Sequence, residues 1–306
     1  MSDKFRGNLL LLLTAAIWGS AFVAQSVGMD YIEPFTFNGI RQIIAAVVLV
    51  PVAYIFVNRD RRIAQSGEGY TEPTEEEKKQ SVRTHVVGGF WCGVCLFVAS
   101  SLQQIGIQYT TAGKAGFVTA LYILIVPILG IFLKKRVRPI LWFCVIIAAV
   151  GLYLLCMQGG FGLEKGDFYV FLCAIVFSLH ILVIDHYSPK TNGVALSCIQ
   201  FAFAGLFAIP PILLFENPEM TYVIMAWKPI LYAGILSGAG GYTLQILGQK
   251  NTDPTVASLL LSLESVFAVI SGMIILHEMM SGRELLGCAL MFAAIILAQL
   301  PERKKL

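Results

Sequence analysis

Ten long apolar stretches, each about the length needed to cross a bilayer, leave this 306-residue chain few folds to adopt. They cover 8–28, 35–57, 85–107, 115–133, 139–157, 167–184, 193–215, 229–249, 254–276 and 284–300. A helix of about 20 apolar residues spans the hydrocarbon core. In lipid every backbone N–H and C=O has to pair within the protein, and runs this continuous pair as helices rather than as barrel strands. Composition agrees: 57% of residues are hydrophobic, 13% are charged and the mean hydropathy is +0.75. That is too little charge for the surface of a soluble protein of this size. The expectation is an all-α integral membrane protein with ten transmembrane helices. The first run follows Lys4 and Arg6 as a signal peptide would, but from Leu9 to about Val27 it exceeds the usual apolar core of one. It is read as a retained span.

The chain also repeats itself. Ala16-Ile17-Trp18-Gly19-Ser20-Ala21-Phe22 aligns with Ala174-Ile175-Val176-Phe177-Ser178-Leu179-His180 at an offset of 159, which also sets Arg41 over Gln200 and Pro51 over Pro210. At an offset of 141, Ser101, Gln104, Gln108 and Thr111 fall over Tyr242, Gln245, Gln249 and Thr252. Two five-span repeats, 8–157 and 167–300, are expected. An odd number of spans in each makes them enter the bilayer in opposite orientations, an arrangement whose sites lie between the repeats near the midplane.

Lys and Arg set the orientation. With both termini inside, 17 of the 22 basic residues fall in inner segments and only Lys165, Lys228 and Arg283 in outer loops. This obeys the positive-inside rule and predicts a multi-pass protein of the cytoplasmic membrane. The one long connection, 58–83, is then cytoplasmic. It reads as a solvated linker in which Thr74 and Glu77 form a capping box ahead of a helix leading into the third span.

Polar residues inside spans are costly and are candidate sites. Arg41 shares a helical face with Asn38, Gln42 and Ala45; a structural Arg reaching outward is the alternative. Glu264 sits near the centre of the ninth run beside Ser262 and Ser265, so it is either protonated or compensated by a cation or water. Its alternative is to hold helix segments together. Gln104 and Gln245 occupy matching positions of the third and eighth runs, as amide walls of a polar cavity or as helix-packing hydrogen bonds. His180 suits a proton carrier or a neutral packing partner. Trp18 and Tyr122 suit a stacking surface or plain packing. Lys114 suits an interfacial anchor.

Other chemistries find little support. Ala112-Gly113-Lys114-Ala115 lacks the first glycine and the hydroxyl of a P-loop, and His277-Glu278-Met279-Met280-Ser281 lacks the second His of a zinc protease. The seven cysteines all lie in apolar runs, so neither a metal nor a disulfide framework is expected. No cofactor is expected, and a net charge of +3 calls for no nucleic acid.

The chain resembles the EamA family of the drug/metabolite transporter superfamily across both halves. The resemblance rests on Trp18-Gly19-Ser20-Ala21-Phe22-Val23, Arg41, Thr111-Ala112-Gly113-Lys114-Ala115-Gly116-Phe117 with Pro127, Pro254-Thr255-Val256-Ala257, Leu261-Ser262-Leu263-Glu264-Ser265-Val266-Phe267 and Glu278. Ser265 stands where the pattern usually has proline. The resemblance implies a ten-helix carrier of small metabolites, often amino acids or toxic solutes moved outward, with a central cavity.

The function expected is secondary transport of a small polar or amphipathic solute, with the solute, the bilayer, protons and a second copy of the chain as expected partners. The transport path would include Trp18, Asn38, Arg41, Gln104, His180, Gln245 and Glu264. An intramembrane enzyme using Glu264, His180 or Asp185 and a gated channel are the rivals. The first lacks a nucleophile–base or metal spacing and the second a ring of charge or a filter loop.

Overall fold

The computed structural model describes residues 3–66, 71–110, 112–134, 137–156, 165–276 and 281–300, which form helices and connecting turns with no strand among them. In chain order the helices are α1 (Asp3–Met29), α2 (Pro34–Gln65), α3 (Glu75–Ile107), α4 (Ala112–Ala120), α5 (Tyr122–Phe132), α6 (Pro139–Cys156) and α7 (Lys165–Tyr187). They continue with α8 (Gly193–Phe215), α9 (Met220–Met225), α10 (Trp227–Leu231), α11 (Thr243–Gln249), α12 (Pro254–Leu261), α13 (Glu264–Leu276) and α14 (Gly282–Gln299). A 3-10 turn, Ser188–Lys190, follows α7, and a π-helical segment, Tyr232–Tyr242, joins α10 to α11.

Local chemistry sets the helix ends. Asn192 and Asp253 accept hydrogen bonds from the first backbone amides of α8 and α12, and Ser281 with Glu284 closes a capping box on α14. The Thr74–Glu77 box forms as the sequence predicts. It opens one continuous helix of 33 residues that leads into the third apolar run, and α2 runs on to Gln65, so helix occupies much of what reads as a linker.

Among the described residues, seven helices are long and apolar enough to cross a membrane: Asp3–Met29, Pro34–Gln65, Glu75–Ile107, Ala115–Phe132, Lys165–Lys190, Gly193–Phe215 and Trp227–Gln249. Pro139–Leu154 and Pro254–Ala268 are apolar but shorter. The ninth run is cut by a turn at Ser262–Leu263, and the fifth and tenth form helices of 18 residues. Large apolar side chains such as Tyr54, Phe132, Leu213 and Phe215 lie on the outside, where a bilayer rather than water suits them.

Most of the long helices find their main partners in the other half of the chain. α2 packs along α8, α3 along α7 and α8, and α6 along α14; α1 lies against the π segment, α11, α12 and α13, and α7 against α4 and α5. The shared core includes Leu11, Leu96, Ile123, Leu152, Leu259 and Leu261.

Two close approaches depend on glycine. A Cβ on Gly106 would stand 3.0 Å from the Gly166 carbonyl oxygen and 2.5 Å from Val170, and one on Gly248 would stand 2.9 Å from the Gly7 carbonyl oxygen and 2.8 Å from Leu11. Hydroxyls tie the same junctions. Thr110 Oγ1 donates to Asp167 Oδ1 at 2.7 Å, and Thr252 Oγ1 meets Asn8 Oδ1 at 3.5 Å. Gly166, Asp167 and Val170 follow Gly7, Asn8 and Leu11 by 159 residues, as the sequence offset predicts. Gly248 and Thr252, however, follow Gly106 and Thr110 by 142, one more than the offset that aligns the glutamines.

Candidate functional site

Two interrupted helices frame a cavity inside the helix assembly. The fourth apolar run breaks at Leu121 and the ninth at Ser262–Leu263, each through three-residue turns such as Leu121 N–H to Val118 O and Leu263 N–H to Leu260 O. Tyr122 opens α5 and Glu264 opens α13, and the Tyr122 hydroxyl donates to Glu264 Oε1 at 2.9 Å. The ninth run breaks without a proline at position 265; Ser265 Oγ donates instead to the Gly116 carbonyl of α4 at 3.3 Å. Across this turn the amides of Leu263, Ser265 and Phe267 stay hydrogen-bonded to the carbonyls of Leu260, Ser262 and Leu263, so the Tyr122 hydroxyl is the partner that the structure gives the Glu264 carboxyl. α1 reaches this point because Gly19 has no side chain: a Cβ there would lie 2.5 Å from the Glu264 carbonyl oxygen.

Arg41 enters the same cavity from α2. Its Nε donates to Asn38 Oδ1 at 3.0 Å and its Nη1 to Gln25 Oε1 at 2.9 Å. Asn38 Nδ2 in turn donates to Ser100 Oγ and Ser101 Oγ, both at 2.9 Å, and Gln42 Nε2 donates to Asn38 Oδ1 and Ser100 Oγ. The network fixes the guanidinium through neutral oxygens. Among the described residues neither Arg41 nor Glu264 takes part in an ion pair, although both are at least nine-tenths buried and line one cavity.

The remaining walls are amides and aromatic rings. Gln245 lines the cavity, its Oε1 lacking a hydrogen-bond partner among the described residues, and Gln103 lines it while donating to Thr119 Oγ1 at 3.2 Å. Trp18 lies 4.6 Å from the Tyr242 ring and donates from Nε1 to the Ser237 carbonyl at 3.2 Å. Thr14 Oγ1 donates to the Gly241 carbonyl at 3.2 Å, so two α1 side chains satisfy carbonyls of the π segment. Such segments recur at functional sites because their widened turn leaves backbone groups to outside partners. The free space is about 30 Å³, enough for one or two waters.

Of the residues singled out in the sequence, Trp18, Arg41, Gln245 and Glu264 therefore meet around one cavity. Asn38 lies behind Arg41 and orients it. Gln104 lies beside the cavity and donates to the Gln25 carbonyl at 3.2 Å. His180 is buried between α7 and α8, its Nε2 3.0 Å from Gln200 Oε1 and its ring 5.9 Å from that of Tyr242. Gln25, Gln103, Ser237 and Tyr242 line the cavity without having been singled out. Gln25 carried a usable signal, since it lies seven residues from Trp18 on the same helix face. The side chain of Lys114, Glu278 and the His277–Ser281 string as a whole lie outside what the structure describes.

Seven helices long and apolar enough to cross a membrane, packed around an amide-lined cavity that holds Arg41 and Glu264, describe a multi-pass membrane protein, and comparison with known proteins gives its class as transporter. The EamA-like transporter family matches residues 5–157 and again 164–300, and the chain belongs to that family. It is 29% identical to an uncharacterized transporter of Archaeoglobus fulgidus over 303 residues, covering 97% of this chain and 87% of the relative. It is 22% identical to the uncharacterized transporter YetK of Bacillus subtilis over 304 residues, covering 96% and 87%. A crystal structure 18% identical in sequence superposes with a TM-score of 0.73 and covers 96% of each chain, which speaks for the fold alone.

Proposed function

We propose that this protein is a secondary carrier for a small polar or amphipathic metabolite, amino-acid-like in chemistry, working by alternating access around the cavity between its halves. The observation that carries the reading is the pair Arg41 and Glu264, opposite in charge type, buried in one cavity and not paired with each other. A solute with an acidic and an amino end answers both: its carboxylate to Arg41, its amine to Glu264 and the unpartnered Gln245 oxygen, its apolar body to Trp18, Phe22 and Tyr242. Free space of about 30 Å³ requires the walls to part before such a solute enters.

The proposed architecture is ten helices in two inverted repeats, 8–157 and 167–300, with both termini cytoplasmic. The reciprocity of the packing supports it. Exchanging the halves turns the contact of α1 with α11 into that of α7 with α3, and the contact of α1 with α12 and α13 into that of α7 with α4 and α5. Outward transport is the direction that the family resemblance favours, with protons as the coupling ion through Glu264.

The test is flux in proteoliposomes with labelled amino acids and related zwitterions. Saturable uptake accelerated by unlabelled solute on the other side supports the carrier. Flux that never saturates points to a channel, and a chemically altered solute to an enzyme. Comparing metabolites of cells lacking and overproducing the protein narrows the solutes to be tried.

A further inference from the structure

A second cavity, of about 300 Å³, opens where the start of α3 meets the end of α7 and the turn Ser188–Lys190. Its lining is Gln80, Arg83, Thr84, Val87, Tyr187 and Lys190, which includes two cations, three neutral hydrogen-bonding groups and no carboxylate. Lys190 Nζ lies 2.9 Å from His186 Nε2, and Arg83 makes no hydrogen bond or ion pair among the described residues. Two exposed positive charges thus face one hollow without an acidic residue in its described walls.

The sequence of α3 shows what fits there. Positions 80, 83, 84 and 87 share one helix face, so amide, cation, hydroxyl and valine succeed one another over about 10 Å. One turn further the same face carries Trp91, half exposed at 50%, and beyond it Val98. A polar, cationic mouth that runs directly into an exposed apolar strip matches a molecule with an anionic head and hydrocarbon tails. A soluble phosphate would use the mouth and leave the strip without a role.

We propose that this groove binds an anionic phospholipid. Its phosphate lies between Arg83 and Lys190, with the Tyr187 hydroxyl and the Gln80 amide as further donors, and an acyl chain runs over Val87 and Trp91; the Thr84 hydroxyl is spent on the Gln80 carbonyl at 2.8 Å. The proposal rests on the placement of the chain in a membrane and not on what the central cavity carries. A basic pocket between helices at the headgroup level is the arrangement that selects anionic lipids.

Trp91 reports on the groove directly. The full-length protein carrying W142F and W227F keeps Trp91 and the interior Trp18 as its only tryptophans. It is reconstituted in phosphatidylcholine bilayers with small fractions of brominated phosphatidylglycerol or brominated phosphatidylcholine, and a W91F version supplies the Trp18 background. The expected result is a preference for quenching by phosphatidylglycerol on the order of 25-fold, about fivefold for each of the two basic side chains. R83Q and K190Q should each lower it about fivefold, the worth of one basic side chain near an anionic lipid surface, until the double variant shows no preference. Equal quenching by both lipids in the parent protein overturns the proposal, as does a preference that survives in R83Q/K190Q. Competition by millimolar inorganic phosphate would assign the pocket to a soluble phosphate and overturn the lipid assignment.

Discussion

The Tyr122 hydroxyl bonds to Glu264 Oε1 across 2.9 Å, linking the first residue of α5 to the first residue of α13. The two turns thereby bring a phenol and a carboxyl into one buried contact. Glu264→Gln keeps the volume and an acceptor for Tyr122 but removes the ionisable group. If Glu264 carries the coupling proton, this variant loses pH-driven uphill accumulation in proteoliposomes and keeps downhill exchange of labelled solute. Accumulation that persists under an imposed pH gradient would refute coupling through Glu264. Loss of exchange as well would make it a binding or structural residue.

The amides separate by position. Gln245→Leu and Gln103→Leu change the cavity wall and should weaken solute binding by about 1–3 kcal/mol, roughly five- to 150-fold, with little change in thermal stability for Gln245 and some loss for Gln103, which also bonds Thr119 across α3 and α4. Gln104→Leu should do the reverse, because Gln104 bonds the Gln25 carbonyl between α1 and α3. Binding isotherms and unfolding midpoints in detergent distinguish the two. Equal binding losses in all three variants would contradict the division.

Neighbouring glycines of the π segment should differ sharply. A Cβ on Gly241 would lie 2.5 Å from Trp18 Nε1, displacing the ring that bonds Ser237, whereas one on Gly240 finds its nearest neighbour at 3.6 Å. Gly241→Ala is expected to cost about 1–3 kcal/mol by overpacking and to slow transport. Gly240→Ala should unfold within a degree or two of the parent, on the order of what a neutral surface substitution produces. Matching melting curves for the two variants would count against the close contact of Trp18 with the segment.

Orientation is open to chemical labelling. In a cysteine-free background, Ser66→Cys should be protected from an impermeant thiol reagent added outside intact cells, and Lys165→Cys should react. Labelling at 66 from outside would reverse the topology drawn from the distribution of Lys and Arg.

Acid should loosen one defined helix end. The Glu77 carboxyl is held below the usual carboxylate range because its Oε2 accepts from the Thr74 backbone N–H at 2.7 Å and from the Thr74 hydroxyl at 3.0 Å. A carboxyl lowered in the folded state stabilises fully above the unfolded value of about 4.3, and that contribution disappears as pH falls through the lower folded value. Amide exchange at residues 75–80 should therefore be flat from neutrality to about pH 5, after allowance for intrinsic rates, and rise in stronger acid. Glu77→Gln should remove the added acid sensitivity; if it does not, another group controls the end.

The apolar runs and the two buried charges were legible because bilayer physics penalises every exception to hydrophobicity. The helix breaks were not. Leu121 lies between Ala120 and Tyr122 with neither Gly nor Pro at the turn, so hydropathy continues smoothly through a break that tertiary contacts hold. The π segment left only its glycines as a trace, since a shifted hydrogen-bond pattern has no compositional mark. Residue identity aligned Gln104 with Gln245, whereas the glycine contacts set the register one residue further and pair Gln103 with Gln245. One residue turns a side chain about 100° around a helix, enough to move it from a cavity wall to a packing seam.

The junctions at the two ends of the molecule are chemically unequal. Asp167 accepts from Thr110 at 2.7 Å, while its counterpart Asn8 meets Thr252 at 3.5 Å. A bond to an ionised acceptor is roughly twice as strong as one between neutral groups. If the proposed alternating-access carrier and the orientation drawn from Lys and Arg both hold, the Thr110–Asp167 end is the firmer latch and the end that yields first would face the cell interior, the side from which an exporter loads.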